Sequence, residues 1–97
     1  MAAADAALQK LRELKPRMRE QYKVKEIGIF GSFARREQSD QSDLDLLIEF
    51  EEGADLFDLV ALGQFLEERM GRPVDLVTKR ALREEIREQV LKEAAMV

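Results

Sequence analysis

At 97 residues, with no cysteine, no histidine and a formal net charge of −4, the chain is short and acidic and lacks the softer metal ligands. These figures exclude a disulfide scaffold, a zinc site of the usual ligands, a thiol nucleophile and a Ser-His-Asp triad. They disfavour bulk binding to a nucleic-acid backbone, which relies on clustered Lys and Arg, and leave hard cations held by oxygen as the metals on offer. The length suits one compact domain, and a hydrophobic fraction of 45% allows one modest core. No apolar run approaches the ~20 residues of a membrane span. The start "MAAADAALQK" lacks both a basic leader and an apolar signal core, so a cytoplasmic protein without membrane contact is expected.

From about Asp5 to Tyr22, Leu8, Leu11, Met18 and Tyr22 keep helical spacing. Pro16 interrupts them, so either the helix kinks there or a second short helix starts near it. "VKEIGIF", Val24 to Phe30, is rich in β-branched and aromatic residues and ends at Gly31; it reads as the first strand. "LDLLIEF" reads as the second. Leu44, Leu46, Ile48 and Phe50 fall on one face, and Asp43, Asp45, Leu47 and Glu49 on the other.

Asp55 is a candidate N-cap with Asp58 three residues on, and Leu59, Leu62, Leu66 and Met70 mark a helical stripe. Phe57, Leu59 and Phe65 are expected in the core. Gly71 is placed to end this helix, and Pro73 prevents its continuation. "PVDLVT" reads as a short third strand. From about Lys79, Leu82, Ile86 and Val90 give a last amphipathic helix to near Glu93, with a solvated face of i,i+4 pairs.

The order α-β-β-α-β-α predicts an α/β (α+β-like) single domain, a small mixed sheet with helices packed on one face. Its parts are an N-terminal helical segment (1–22), a sheet region (23–78) and a C-terminal helix (79–97). Nothing obvious is left to cover the other face, toward which Asp43 and Asp45 point.

Residues two apart on a strand share a face, with Cα atoms roughly 6–7 Å apart. Asp43 and Asp45 can therefore converge on one ion. Alone they would repel, and one would tend to protonate. A divalent cation removes that conflict, and Mg²⁺ prefers one or two carboxylates plus water and substrate phosphates. Gly31 permits a sharp turn and close backbone approach to a ligand; Ser32 adds a hydroxyl. A helical turn at "FARRE" would favour a phosphate, with Arg35 or Arg36 to pair with its oxygens. Asp75 is the third carboxylate. If its strand lies beside the second, it can reach the same site, to deprotonate an attacking hydroxyl or to hold a second ion. Glu49 shares the aspartate face but lies about 13 Å beyond Asp45 by strand rise, so it is peripheral. Asp40, Ser39 and Gln41 read as loop and turn residues, with Ser42 placed to orient Asp43.

Gly31-Ser32, ten residues, then Asp43-Leu44-Asp45 resembles the signature of the DNA polymerase β-like nucleotidyltransferases. With Asp75 in a later strand, "GSFARRE…SDLDLLIEF" resembles their smallest branch, the minimal nucleotidyltransferases, from about Pro16 onward. The resemblance implies transfer of a nucleoside monophosphate from ATP or another nucleoside triphosphate to a hydroxyl, releasing pyrophosphate. It implies that Gly31, Ser32 and Arg35 bind the nucleotide. Asp43, Asp45 and Asp75 would form the catalytic triad and hold Mg²⁺, or Mn²⁺ in its place. It further implies a small all-helical HEPN ribonuclease toxin as partner in a hetero-oligomer, AMPylated on a tyrosine, with this chain as antitoxin.

Two other functions compete. A non-catalytic antitoxin would neutralise its partner by occlusion. An enzyme acting on a small molecule such as an aminoglycoside would need an acceptor-binding domain, which the sequence does not offer.

Overall fold

The computed structural model describes residues 3–35, 37 and 43–97. Arg36, Ser39, Asp40, Gln41 and Ser42, given roles above, lie outside the described residues. The first helix, α1, spans Ala3–Tyr22 without a break, with Pro16 inside it. Leu11 and Met18 are fully buried on either side of the proline. An interior proline costs ~3 kcal/mol. Each buried side chain returns about 1.5–3 kcal/mol, so the flanking anchors hold the helix in one piece. Lys23, in the left-handed region at φ 58°, ends the helix and turns the chain into the sheet.

Strands β1 (Val24–Phe30) and β2 (Leu44–Phe50) pair antiparallel. Helix α2 (Leu56–Met70) then crosses over to β3 (Val74–Thr78), which lies parallel to β2. A two-residue strand, β4 (Ala95–Met96), adds to the far side of β1, giving the order β3-β2-β1-β4. The α2 boundaries follow local chemistry. Asp55 and Asp58 form a reciprocal capping box, and Gly71 closes the helix at φ 70°, donating its N–H to Glu67.

Ile27, Ile29, Leu44, Leu46 and Ile48 meet α1 and α2 in the main core, with Leu62, Phe65 and Leu66 from α2. The other face, which the sequence left without a cover, is in fact covered over much of its area by the C-terminal segment. Leu47 is 1% exposed beneath Leu82 and Val90, with Phe30, Val77 and Ala94 around it. The predicted last helix is two elements, a 3₁₀ turn at Lys79–Ala81 and α3 (Glu84–Glu93). Thr78 caps the first, and extended backbone at Leu82 and Arg83 redirects the chain over the sheet. At one end of that face Asp75 is exposed and Asp45 is half-buried.

Two expected core residues are not in the core. Phe57 is 83% exposed and Leu59 is half-buried. The face of α2 that meets the sheet runs through Leu62, Phe65 and Leu66, and Phe57 falls outside that arc. Ile86, on the predicted stripe of α3, is likewise exposed. Among the described residues no helix is long and apolar enough to cross a membrane.

Candidate active site

The site begins where β1 ends. Gly31 adopts φ +73°, a conformation that favours glycine. Its backbone lies so close to Asp45 that a Cβ at Gly31 would collide with Asp45 Oδ2. The glycine thus serves two purposes: it makes the turn, and it lets the turn press against the carboxylate. Residues 31–35 form a tight turn in which the Arg35 N–H donates to the Gly31 carbonyl at 3.0 Å. The Glu37 N–H donates to the Ser32 carbonyl at 2.8 Å. Phe33, 2% exposed, pins the turn to the core and leaves Ser32 half-exposed above it.

Register supplies the carboxylates. Asp45 sits opposite Phe30 on β1 and opposite Asp75 on β3. Paired residues on neighbouring strands project on the same side, about 4.8 Å apart along the hydrogen-bonding direction. Asp75 therefore lies beside Asp45, as the sequence requires of it. Asp43 stands just before β2 and is exposed. Burial pushes the Asp45 carboxyl up from its ordinary range, and the charges of Asp75 and Asp43 push it further. The Arg35 guanidinium opposes them, which places Arg35 in the field of the same site.

These donors fit a hard divalent cation in kind. All are carboxylates, and their mutual repulsion is what a cation would cancel. In the arrangement described, no three acidic side chains among the described residues stand at ligand spacing. Asp45 and Asp75 are neighbours by register, and closing them on an ion with Asp43 requires side-chain rotation.

Arg35 is held in a way the sequence does not reveal. Its Nε donates to Glu37 at 3.1 Å, and its Nη1 reaches Glu93 at the end of α3 at 3.4 Å. Glu37 is the main cause of its raised pKa. Gln89 in turn donates to Glu93 at 3.5 Å. Glu93 lies 58 residues from Arg35 in the chain. No spacing rule links them, and only the folding of α3 back over Leu47 brings them together. Glu49 is peripheral to the carboxylates and pairs with Lys79 at 3.5 Å.

Among the described residues, two of the concavities flank the sheet, and Asp43, Asp45 and Asp75 do not line either of these two. One, of about 280 Å³, lies on the helical side behind Phe33 and Leu44. The other, an open groove of about 830 Å³, lies at the far ends of β2 and β3 between Glu49 and Arg87. Asp43 and Asp75 are exposed, and Asp45 between them is half-buried.

A glycine-serine turn pressed on an Asp-x-Asp strand, with a third aspartate in register, is the arrangement the sequence leads one to expect of a nucleotidyltransferase. The chain belongs to the nucleotidyltransferase domain family, whose model matches residues 11–97. It is 42% identical over 83 residues to the protein adenylyltransferase MntA of Thermococcus cleftensis, covering 86% of this chain and 84% of the relative. Its fold superposes on a solved minimal nucleotidyltransferase structure with a TM-score of 0.81 at 41% identity, covering 93% and 92% of the two chains. It also superposes, with a TM-score of 0.59 at 22% identity, on a structure of a tri-AMPylated Shewanella oneidensis HEPN toxin with its MNT antitoxin. That match covers 96% of this chain and 66% of the other.

Proposed function

We propose that this nucleotidyltransferase is a Mg²⁺-dependent protein adenylyltransferase that moves AMP from ATP to a tyrosine hydroxyl of a HEPN-type toxin, and is thereby its antitoxin. The observation that carries the reading is the register of Asp45 with Asp75, together with the contact of Gly31 on Asp45. The likeness to MntA adds the nucleotide and the protein acceptor. The HEPN complex of the more distant structure adds the kind of partner.

The turn at Gly31 and Ser32 offers backbone N–H groups and a hydroxyl to the triphosphate. Arg35 exchanges a carboxylate partner for a phosphate oxygen, a swap between charge-assisted hydrogen bonds of similar strength. Asp43, Asp45 and Asp75 would hold the divalent cation, which when bound neutralises charge on the phosphates. The tyrosine oxygen attacks the α-phosphorus and forms the new P–O bond as the bond to pyrophosphate breaks. The tyrosine proton passes to Asp75, the carboxylate on the outermost of the three strands around the site. A hydroxyl with an ordinary pKa near 10 needs such an acceptor at neutral pH.

Incubating the protein with ATP, Mg²⁺ and a candidate helical partner, and weighing the partner, tests this directly. One or more nucleotide units on the partner are expected, and none with Asp43→Asn/Asp45→Asn. A second reading, neutralisation by occlusion, draws on Leu56, Phe57 and Val60, exposed apolar residues of the first turns of α2. Full toxin neutralisation by the double variant would favour that reading.

A further inference from the structure

We propose that Glu93, at the end of α3, is a positioning residue that holds Arg35 ready for a nucleotide phosphate. The proposal rests on the reading of Arg35 as a phosphate-binding residue given above. Glu93 stands where local chemistry does not favour it. It is the last residue of α3, and the negative end of a helix dipole disfavours a carboxylate. Its side chain is only 26% exposed, so it is also partly withdrawn from water. Gln89 donates to it from one turn back, and Arg35 supplies the opposing charge from across the fold at 3.4 Å.

The frame that brings the two together is packed at both sides of Glu93. Val90 packs with Leu47, which stands two residues along β2 from Asp45. Ala94 packs against the same cluster as Phe30, which directly precedes Gly31. Glu93 lies between these anchors, three residues past Val90 and one before Ala94. The strand that carries Asp45 and the strand that leads into the Gly31 turn thus set where Glu93 is, and Glu93 helps to set where the guanidinium is.

Arg35 needs such a hold. Its side chain is 45% exposed, and an unrestrained arginine must give up its rotamer freedom when a ligand arrives. Carboxylates from two elements restrain it beforehand: Glu37 accepts from Nε and Glu93 from Nη1. A guanidinium has five N–H groups, so Nη2 keeps both of its own for a phosphate, with no partner among the described residues. The two carboxylates are not equivalent. Glu37 belongs to the turn, its N–H bonded to the Ser32 carbonyl, and its side chain is 64% exposed. Its charge lies beside the place proposed for the triphosphate, so Glu37 is the partner that yields. Glu93 reaches Arg35 from α3 and stays.

The test is calorimetric titration of a non-hydrolysable ATP analogue with Mg²⁺ into the wild type, Glu93→Gln, Glu37→Gln, Arg35→Ala and Arg35→Ala/Glu93→Gln, each first melted to check folding. Glu93→Gln exchanges a surface ion pair for relief at the helix end, so it should melt with the wild type. Its affinity should fall about two- to tenfold, the range set by ordering one long side chain. Glu37→Gln should bind no more weakly than the wild type. Arg35→Ala should lose about tenfold or more, and adding Glu93→Gln to it should cost nothing further, because Glu93 acts through Arg35. A merely structural role would give the same loss in both backgrounds. In turnover with the candidate helical partner, the Glu93→Gln loss should fall on KM for ATP and spare kcat, since an oriented arginine aids substrate and transition state alike. Full affinity in Arg35→Ala would remove the phosphate-binding reading and this proposal with it. A loss in Arg35→Ala beside unchanged or tighter binding in Glu93→Gln, or an equal Glu93→Gln loss on the Arg35→Ala background, would overturn the proposal alone.

Discussion

Gly31 and Asp45 are a single unit at the scale of the residue. Adding a methyl at Gly31 sets a left-handed backbone against its preference and drives Cβ into the carboxylate. Gly31→Ala is expected to cost about 1–3 kcal/mol of stability, measured by urea unfolding, because the strain has no soft exit. Asp45 bears the opposite kind of stress. Its carboxyl titrates above the ordinary value of 3.8, so the folded state holds its proton more tightly than the unfolded chain does. That contribution is complete below the ordinary value and is lost as pH rises through the raised one. In EDTA, Asp45→Asn should therefore melt with the wild type in acid and above it near neutrality, by roughly a few degrees. A neutral-pH melting point lower than wild type would show that Asp45 is not under repulsion. The same substitution should reduce transfer ~10²-fold or more, since the metal's charge stabilisation amounts to several kcal/mol.

Among the elements, α2 is the one most fully written in its sequence. Asp55, Asp58 and Gly71 each occupy the cap position that their spacing predicts. Asp55→Ala is expected to cost about 1 kcal/mol in equilibrium unfolding. Hydrogen bonding within the capping box, chiefly from the Asp55 backbone, holds the Asp58 carboxyl below its usual range. Its contribution is therefore present above the ordinary value and lost as pH falls through the lowered one. β1 and β2 were equally legible, since each is a short apolar run bounded by turn residues. β4 was not: two residues, Ala95–Met96, carry no period, and only pairing with β1 makes them a strand. Phe57 and Ile86 show the limit of reading stripes. Periodicity says which residues share an arc of a helix, but not how wide an arc the sheet covers. α3 covers Leu47 through Leu82 and Val90, so Leu47→Ala should cost about 2–5 kcal/mol and loosen α3 first. Hydrogen exchange should then rise across 84–93 before it rises in α1. Equal protection in both helices would contradict this packing role.

For the whole molecule, the residues of the candidate site could be singled out from the sequence, but their arrangement could not. Asp43, Asp45 and Asp75 stand out because carboxylates on an otherwise apolar strand need a reason. The parallel pairing that sets Asp75 against Asp45 depends on the α2 crossover, which no local pattern encodes. Glu93 was missed because its role arises only when α3 folds back to meet Arg35. The exposed Leu56, Phe57 and Val60 of α2 leave apolar surface on which a partner protein could dock.

If these carboxylates and the glycine-serine turn make one metal-nucleotide site, as proposed, nucleotide binding depends on the metal. Calorimetric titration with a non-hydrolysable ATP analogue, with Mg²⁺ and then in EDTA, tests it most directly. Binding should need Mg²⁺ in the wild type and weaken at least ~10-fold in Asp43→Asn/Asp45→Asn. Equal affinity with and without the metal, or between the two proteins, would contradict it.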